Sequence, residues 1–265
     1  MKVAKLFLLL LALSPNTVLA WGGKTHRAIT HALVTLVKNI SGKCGLVEGS
    51  VAPDKRGDGW LPPACHGYDP SQDDRAKRRR GIAPKSLAQI INTVRARKMT
   101  KGERAFQIGR ALHITQDLTQ PFHTGSGNDE RRYHAPYEKW VDKRADAIIQ
   151  KALVNFHKDS MSLSGRPKEV SEELARRTRK DYWRLHKLCR QKPWGEELES
   201  FTARRIADGF HYSLYVLEEA NRGHGPNDNE GFWRLFSAFI FALVFHLLAK
   251  SSSPSIPKMS GRWID

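Results

Sequence analysis

The chain has 265 residues, of which 40% are hydrophobic and 27% charged. That balance excludes a disordered chain and leaves room for one large domain or two small ones. A formal net charge of +17 and a pI near 10.0 favour an anionic partner: a phosphodiester, an anionic lipid surface or nucleic acid.

Residues 1–20 read as an export signal. Lys2 and Lys5 form a basic start, Leu6 to Leu13 an apolar core too short to span a bilayer, and Val18-Leu19-Ala20 a small-residue cleavage site. Cleavage after Ala20 makes Trp21 the mature N-terminus of a secreted or periplasmic protein. An oxidising compartment allows one disulfide among Cys44, Cys65 and Cys189. Cys44–Cys65 is the preferred pair because it closes a modest loop, although spacing alone does not settle the pairing.

Ile29, Leu33, Leu36, Val37 and Ile40 make one apolar helical stripe, with His26 at its start. His31 reads as a surface or core residue. Gly42, Gly45 and Gly49 mark a break after this helix. Asn39-Ile40-Ser41 fits a glycosylation pattern that has meaning only in a eukaryotic source. Residues 51–84 read as a long loop holding five of the thirteen prolines, and a loop of that length inside a compact domain is usually functional. It carries Asp54 and His66 as candidate ligands beside competing carboxylates Asp58, Asp69, Asp73 and Asp74. The basic run Lys77 to Arg80 reads as a solvated face.

From Pro84 onward the pattern predicts helices over 85–98, 102–119, 132–156, 168–190, 196–221 and 230–249, with no β-hairpin signal or internal repeat. The economical fold is all-α: a single multi-helix domain over 21–249 and a polar tail over 250–265. The stretch HITQDLTQPFH, His113 to His123, sits at its centre. His113 and Asp117, four apart, share one helix face. Pro121 ends that helix, so His123 is presented from another direction. His134 and Glu138 repeat the four-residue spacing, with Pro136 expected in a first helical turn. With His26, Asp54 and His66 this is too many nitrogens and carboxylates for one tetrahedral zinc; it suffices for two or three ions.

These motifs, in this order, resemble the zinc-dependent phospholipase C family, which shares its fold with the S1/P1-type nucleases. The resemblance rests on Trp21 after the cleavage site, His26, Pro53-Asp54, His66 within CHGYDP, the HxxxDxxxPxH run and the HxxxE pair. It covers residues 21–140; beyond that only helical character is shared. It implies three zinc ions. Asp54, His66, His113 and Asp117 would hold one, and His123, His134 and Glu138 a second. Trp21 (through its α-amine and carbonyl), His26 and Asp117 would hold the third, with Asp117 bridging. Metal ions so placed clamp a phosphate and lower the pKa of the water that attacks it, with Asp54 orienting or deprotonating that water.

Glu138, the short gap between His123 and His134, and HGYDP favour a phospholipase C acting on glycerophospholipid or another anionic phosphodiester; a monomer with peripheral membrane contact is expected. The Trp21–His26 spacing resembles the nuclease start, so single-stranded nucleic acid is the alternative substrate. A non-catalytic zinc-binding protein is a third reading.

Two features stand outside this pattern. Residues 176–192 are densely basic with Tyr182 and Trp183 interleaved, suited to a phosphate backbone, to anionic headgroups or simply to solvent. Phe232 to Ala249 is strongly apolar and reads as a buried closing helix in preference to a membrane anchor. It falls short of ~20 apolar residues and includes Arg234, Ser237 and His246. His157, His186, His211, His224 and His246 have no ligand pattern around them.

Overall fold

The computed structural model describes residues 21–37, 42–55, 57–72, 81–125, 128–156 and 163–222. The export signal, the glycosylation pattern, Lys77 to Arg80, the expected helix 230–249 and the tail lie outside the described residues. Within them the chain forms α1 (Gly23–Leu36), α2 (Lys43–Gly49), α3 (Ala83–Ala96), α4 (Lys101–Leu118), α5 (Asn128–Lys143), α6 (Ala145–Asn155), α7 (Pro167–Arg179), α8 (Tyr182–Arg190) and α9 (Glu196–Asn221). Short 3-10 turns stand at Pro63–Cys65 and Pro121–Thr124. No strand occurs among the described residues, and the all-α expectation holds.

Helix α4 is the axis of the bundle, packed by α1, α2, α3, α7 and α9. Its start is fixed by a capping box: Thr100 Oγ1 accepts from the Glu103 N–H, and the Glu103 carboxylate accepts from the Thr100 N–H. From Ala111 to Leu118 every residue is buried. That half of the helix has no solvent face, so His113, Gln116 and Asp117 must find partners within the protein.

Glycines decide how close α2 comes to α4. A Cβ at Gly109 would lie 2.3 Å from the Leu46 carbonyl oxygen, and one at Gly49 would lie 2.1 Å from that of Phe106. Only hydrogen at both positions lets the two backbones touch. The Gly42–Gly49 segment, expected as a break, is therefore a helix: tertiary packing overrides glycine's low propensity.

Other expectations need correction. Helix 132–156 is two helices hinged at Arg144, whose φ of −118° and ψ of 10° are not helical. One part faces the site and the other packs on α9. Helix 168–190 likewise breaks at Lys180–Asp181, where Asp181 turns to pair with Arg205 of α9 at 3.1 Å. Pro136 lies inside α5, because that helix starts earlier than its apolar pattern suggests. The Cys44–Cys65 disulfide is not formed. All three cysteines are free, Cys44 exposed on α2 while Cys65 points into the core.

Candidate metal centre

The sequence-predicted ligands come from several local devices. His26 sits in the first turns of α1, whose N-terminus is held by Asp142 of α5 accepting from the Thr25 N–H at 2.9 Å. Asp54 lies in the turn after α2, and His66 closes the 3-10 turn that Pro62 and Pro63 initiate. His113 and Asp117 project from α4, His123 from the 3-10 turn after it, and His134 and Glu138 from α5. Gly67 lets the His66 loop lie against that last turn: the Tyr68 N–H reaches the His123 carbonyl at 2.8 Å, where a Cβ on Gly67 would clash.

The structure brings these residues into three groups, the first two sharing His113: His26, His113 and Asp117; Asp54, His66 and His113; and His123, His134 and Glu138. Within each group the ligand atoms lie within 4.8 Å of one another. The histidines are set by outer partners. His113 Nδ1 donates to the Ser50 carbonyl at 2.9 Å, which the close α2–α4 approach makes reachable. His66 Nε2 donates to the Leu61 carbonyl at 3.3 Å, His123 Nδ1 to the His66 carbonyl at 3.0 Å, and His26 Nδ1 to the Gln116 side-chain oxygen at 2.6 Å. A neutral imidazole with one nitrogen donating has a lone pair on the other. Those lone pairs converge.

His113 Nε2 and His66 Nδ1 are 3.0 Å apart, and Asp117 Oδ2 is 3.1 and 3.0 Å from them. His123 Nε2 and His134 Nε2 are also 3.0 Å apart, with Glu138 Oε1 3.5 and 2.6 Å from them. His26 Nε2 is 3.2 Å from Asp117 Oδ1 and 4.0 Å from Asp54 Oδ2, and none of these three buried atoms has a hydrogen-bond partner. Facing lone pairs and orphaned carboxylate oxygens repel unless a cation lies among them. The donor set of imidazole and carboxylate suits zinc.

The titration of the metal-free site says the same. Burial pulls the His26 pKa down, yet the close Asp117 carboxylate, with Asp54, holds it raised to about 9. Burial raises Glu138 to about 8 and drops His134 to about 3. Burial opposes the Asp117 charge, but His113, His26 and His66 keep its carboxyl well below the usual range. Protons here partly stand in for a missing positive charge.

Asp117 is placed to serve two positions, one oxygen toward His26 and the other toward His66 and His113. A single imidazole lone pair cannot do this, so His113 belongs with one position only. Trp21 is buried beside this turn, its Nε1 donating to the Gln116 carbonyl at 2.8 Å. Of the competing carboxylates, Asp69 is buried but caps its own turn, accepting from the Ser71 N–H at 3.0 Å. Sequence reasoning missed Gln116 and Gln120. Gln116 links His26 to Thr30, and Gln120 donates to Glu138 Oε1 at 3.0 Å. Both lie inside HITQDLTQPFH, four apart, and that spacing was the available signal.

An all-α bundle that gathers five histidines and three carboxylates around its central helix defines a candidate multi-metal centre of the hydrolase type. The chain belongs to the zinc-dependent phospholipase C family: the model described as "Zinc dependent phospholipase C" matches residues 25–213. The match runs past Glu138, where the ligand motifs end, into α9. Solved structures with the same fold include the alpha-toxin of Clostridium perfringens from avian strain SWCP, at 16% identity and TM-score 0.57 over 77% of this chain and 65% of the toxin. The alpha toxin of Clostridium absonum matches at 14% identity and TM-score 0.57, over 76% and 65%. The chain thus spans 65% of each toxin's length. No curated protein matches.

Proposed function

We propose that this chain is an exported zinc phospholipase C that hydrolyses the phosphodiester of glycerophospholipids. The observation that supports it most is the set of convergent, outward-locked imidazole lone pairs around the two oxygens of Asp117. Asp54, His66, His113 and Asp117 would hold one ion, His123, His134 and Glu138 a second, and Trp21, His26 and Asp117 a third. When bound, the zinc ions supply Lewis acidity toward the phosphoryl oxygens and lower the pKa of the attacking water.

The remaining work falls to the protein. Ser50, Leu61, the His66 carbonyl and Gln116 each accept from one ring nitrogen of four imidazoles, so the other nitrogen of each is turned toward the metal position. Gln120 fixes the Glu138 carboxylate in place. Asp54 Oδ2, buried with no hydrogen-bond partner, is the atom we assign to orient the attacking water and accept its proton. The fully buried flank from Ala111 to Leu118 keeps bulk water from the inner side of the cluster.

The test is a side-by-side assay of the purified mature protein on phosphatidylcholine vesicles and on single-stranded DNA, each with and without zinc. Zinc-dependent release of phosphocholine supports the proposal. Zinc-dependent cleavage of DNA alone would reassign the site to a nuclease, and a zinc-loaded protein inert on both would reduce it to a metal-binding protein.

A further inference from the structure

Helix α8 carries a feature the metal centre does not use. Its inner face is buried through Tyr182, Leu185, His186 and Cys189, at the spacing of one helical stripe. The opposite face presents Trp183, 65% exposed, with Arg184, Lys187 and Arg190, all exposed. Trp183, Lys187 and Arg190 fall on one line of the helix, four and three residues apart, and Arg184 stands beside them. The helix, YWRLHKLCR, contains no acidic residue, and none of the three cations forms an ion pair with a described residue. Burying the indole in the core would have been the ordinary outcome for so large an apolar side chain.

This face is coupled to the metal centre by ring contacts. Trp183 packs edge-on against Tyr182 and His186, at 5.2 and 5.5 Å between ring centres. Tyr182 packs at 5.7 Å on Phe122, the neighbour of His123, and His186 at 5.3 Å on Tyr133, the neighbour of His134. A surface seated on α8 would therefore lie two layers of rings from the His123–His134–Glu138 group.

We propose that the outer face of α8 docks the protein on a bilayer leaflet containing anionic phospholipid, with the Trp183 indole at the headgroup level and Arg184, Lys187 and Arg190 on the phosphates. Charge complementarity commits the surface to that occupant. Three exposed cations with no acidic partner among the described residues, beside one amphipathic ring, match the interfacial arrangement of tryptophan and basic residues. The inference rests on the phospholipase reading, since a lipid substrate gives the site a reason to face a membrane.

The experiment compares the zinc-loaded mature protein with Trp183→Ala and with the triple variant Arg184→Gln/Lys187→Gln/Arg190→Gln. Each is measured for co-sedimentation with phosphatidylcholine vesicles that contain or lack phosphatidylserine. Each is also assayed on a monomeric short-chain phosphatidylcholine below its micelle concentration. The triple variant should lose on the order of 100-fold in affinity for phosphatidylserine vesicles, and Trp183→Ala about tenfold. Hydrolysis of the monomeric substrate should be unchanged in both. Wild-type vesicle binding by both variants overturns the docking proposal while leaving the phospholipase reading intact. Failure of the wild type on the monomeric substrate overturns the phospholipase reading independently. Unchanged vesicle binding with lost affinity for single-stranded DNA would show that the face serves nucleic acid and would also overturn the proposal.

Discussion

Substituting Gly109 by alanine should weaken zinc binding although Gly109 touches no ligand. The new Cβ would lie 2.3 Å from the Leu46 carbonyl oxygen and 2.8 Å from the Gly49 Cα, both backbone atoms that cannot rotate away. Relief requires α2 to move off α4 by about 1 Å, and overpacking of this kind costs about 2 kcal/mol. For a chain of this size that lowers Tm by about 6 °C. The same movement carries the Ser50 carbonyl, now 2.9 Å from His113 Nδ1, beyond hydrogen-bond reach. His113 then loses its fixed tautomer, and loss of such an outer partner lowers metal affinity about 10- to 100-fold. Chelator competition measures the affinity and calorimetry the Tm. Gly102→Ala is the control, on the same helix with nothing within 4 Å of the added methyl. It should raise stability by about 0.5 kcal/mol and leave zinc affinity alone. A Gly109→Ala protein with lowered Tm but wild-type zinc affinity would refute the link from helix approach to ligand orientation.

Asp117→Asn should remove more bound zinc per chain than any other single carboxamide substitution, because both its oxygens face separate ligand groups. Asp69→Asn should leave the zinc content unchanged, and equal losses in metal analysis would contradict the bridging role. The metal-free protein should lose stability as pH rises from 6.5 to 9. His26 is raised to about 9, so its contribution is complete below 6.5 and lost through 9, and Glu138, raised to about 8, acts with the same sign. His113, His123 and His134 are lowered and act only below pH 6.5. Zinc uptake at pH 7 should therefore release about one to two protons, read by titration calorimetry in buffers of different ionisation enthalpy; zinc binding with no proton release would contradict it. An extra Met or Gly ahead of Trp21 in the mature protein should lower zinc content by about one ion per chain and strongly reduce hydrolysis. Full zinc and activity in that extended protein would exclude the amino terminus as a ligand.

The candidate site was more legible in the sequence than the path of the chain. Ligand chemistry is local: His113 and Asp117, or His134 and Glu138, declare a shared helix face by spacing alone, and the structure gathers every predicted side-chain ligand. The outer partners were hidden because three of them are backbone carbonyls, of Ser50, Leu61 and His66, which have no signature in sequence. The helix breaks at Arg144 and Lys180 were missed because neither carries a glycine or proline; packing on α9 sets them. The α2 helix was missed for the opposite reason. Its glycines looked like a turn, and their role appears only when α4 is laid across them.

The central claim is that these residues together form one zinc cluster. An anomalous difference map at the zinc edge, from crystals of the mature protein grown with zinc, tests it most directly. The account predicts peaks within coordination distance of Asp54, His66, His113 and Asp117, of His123, His134 and Glu138, and of His26 with Asp117 and the Trp21 backbone. A zinc-saturated protein with peaks elsewhere, or with a single peak that leaves either Asp117 or the His123–His134–Glu138 group without metal, would contradict it.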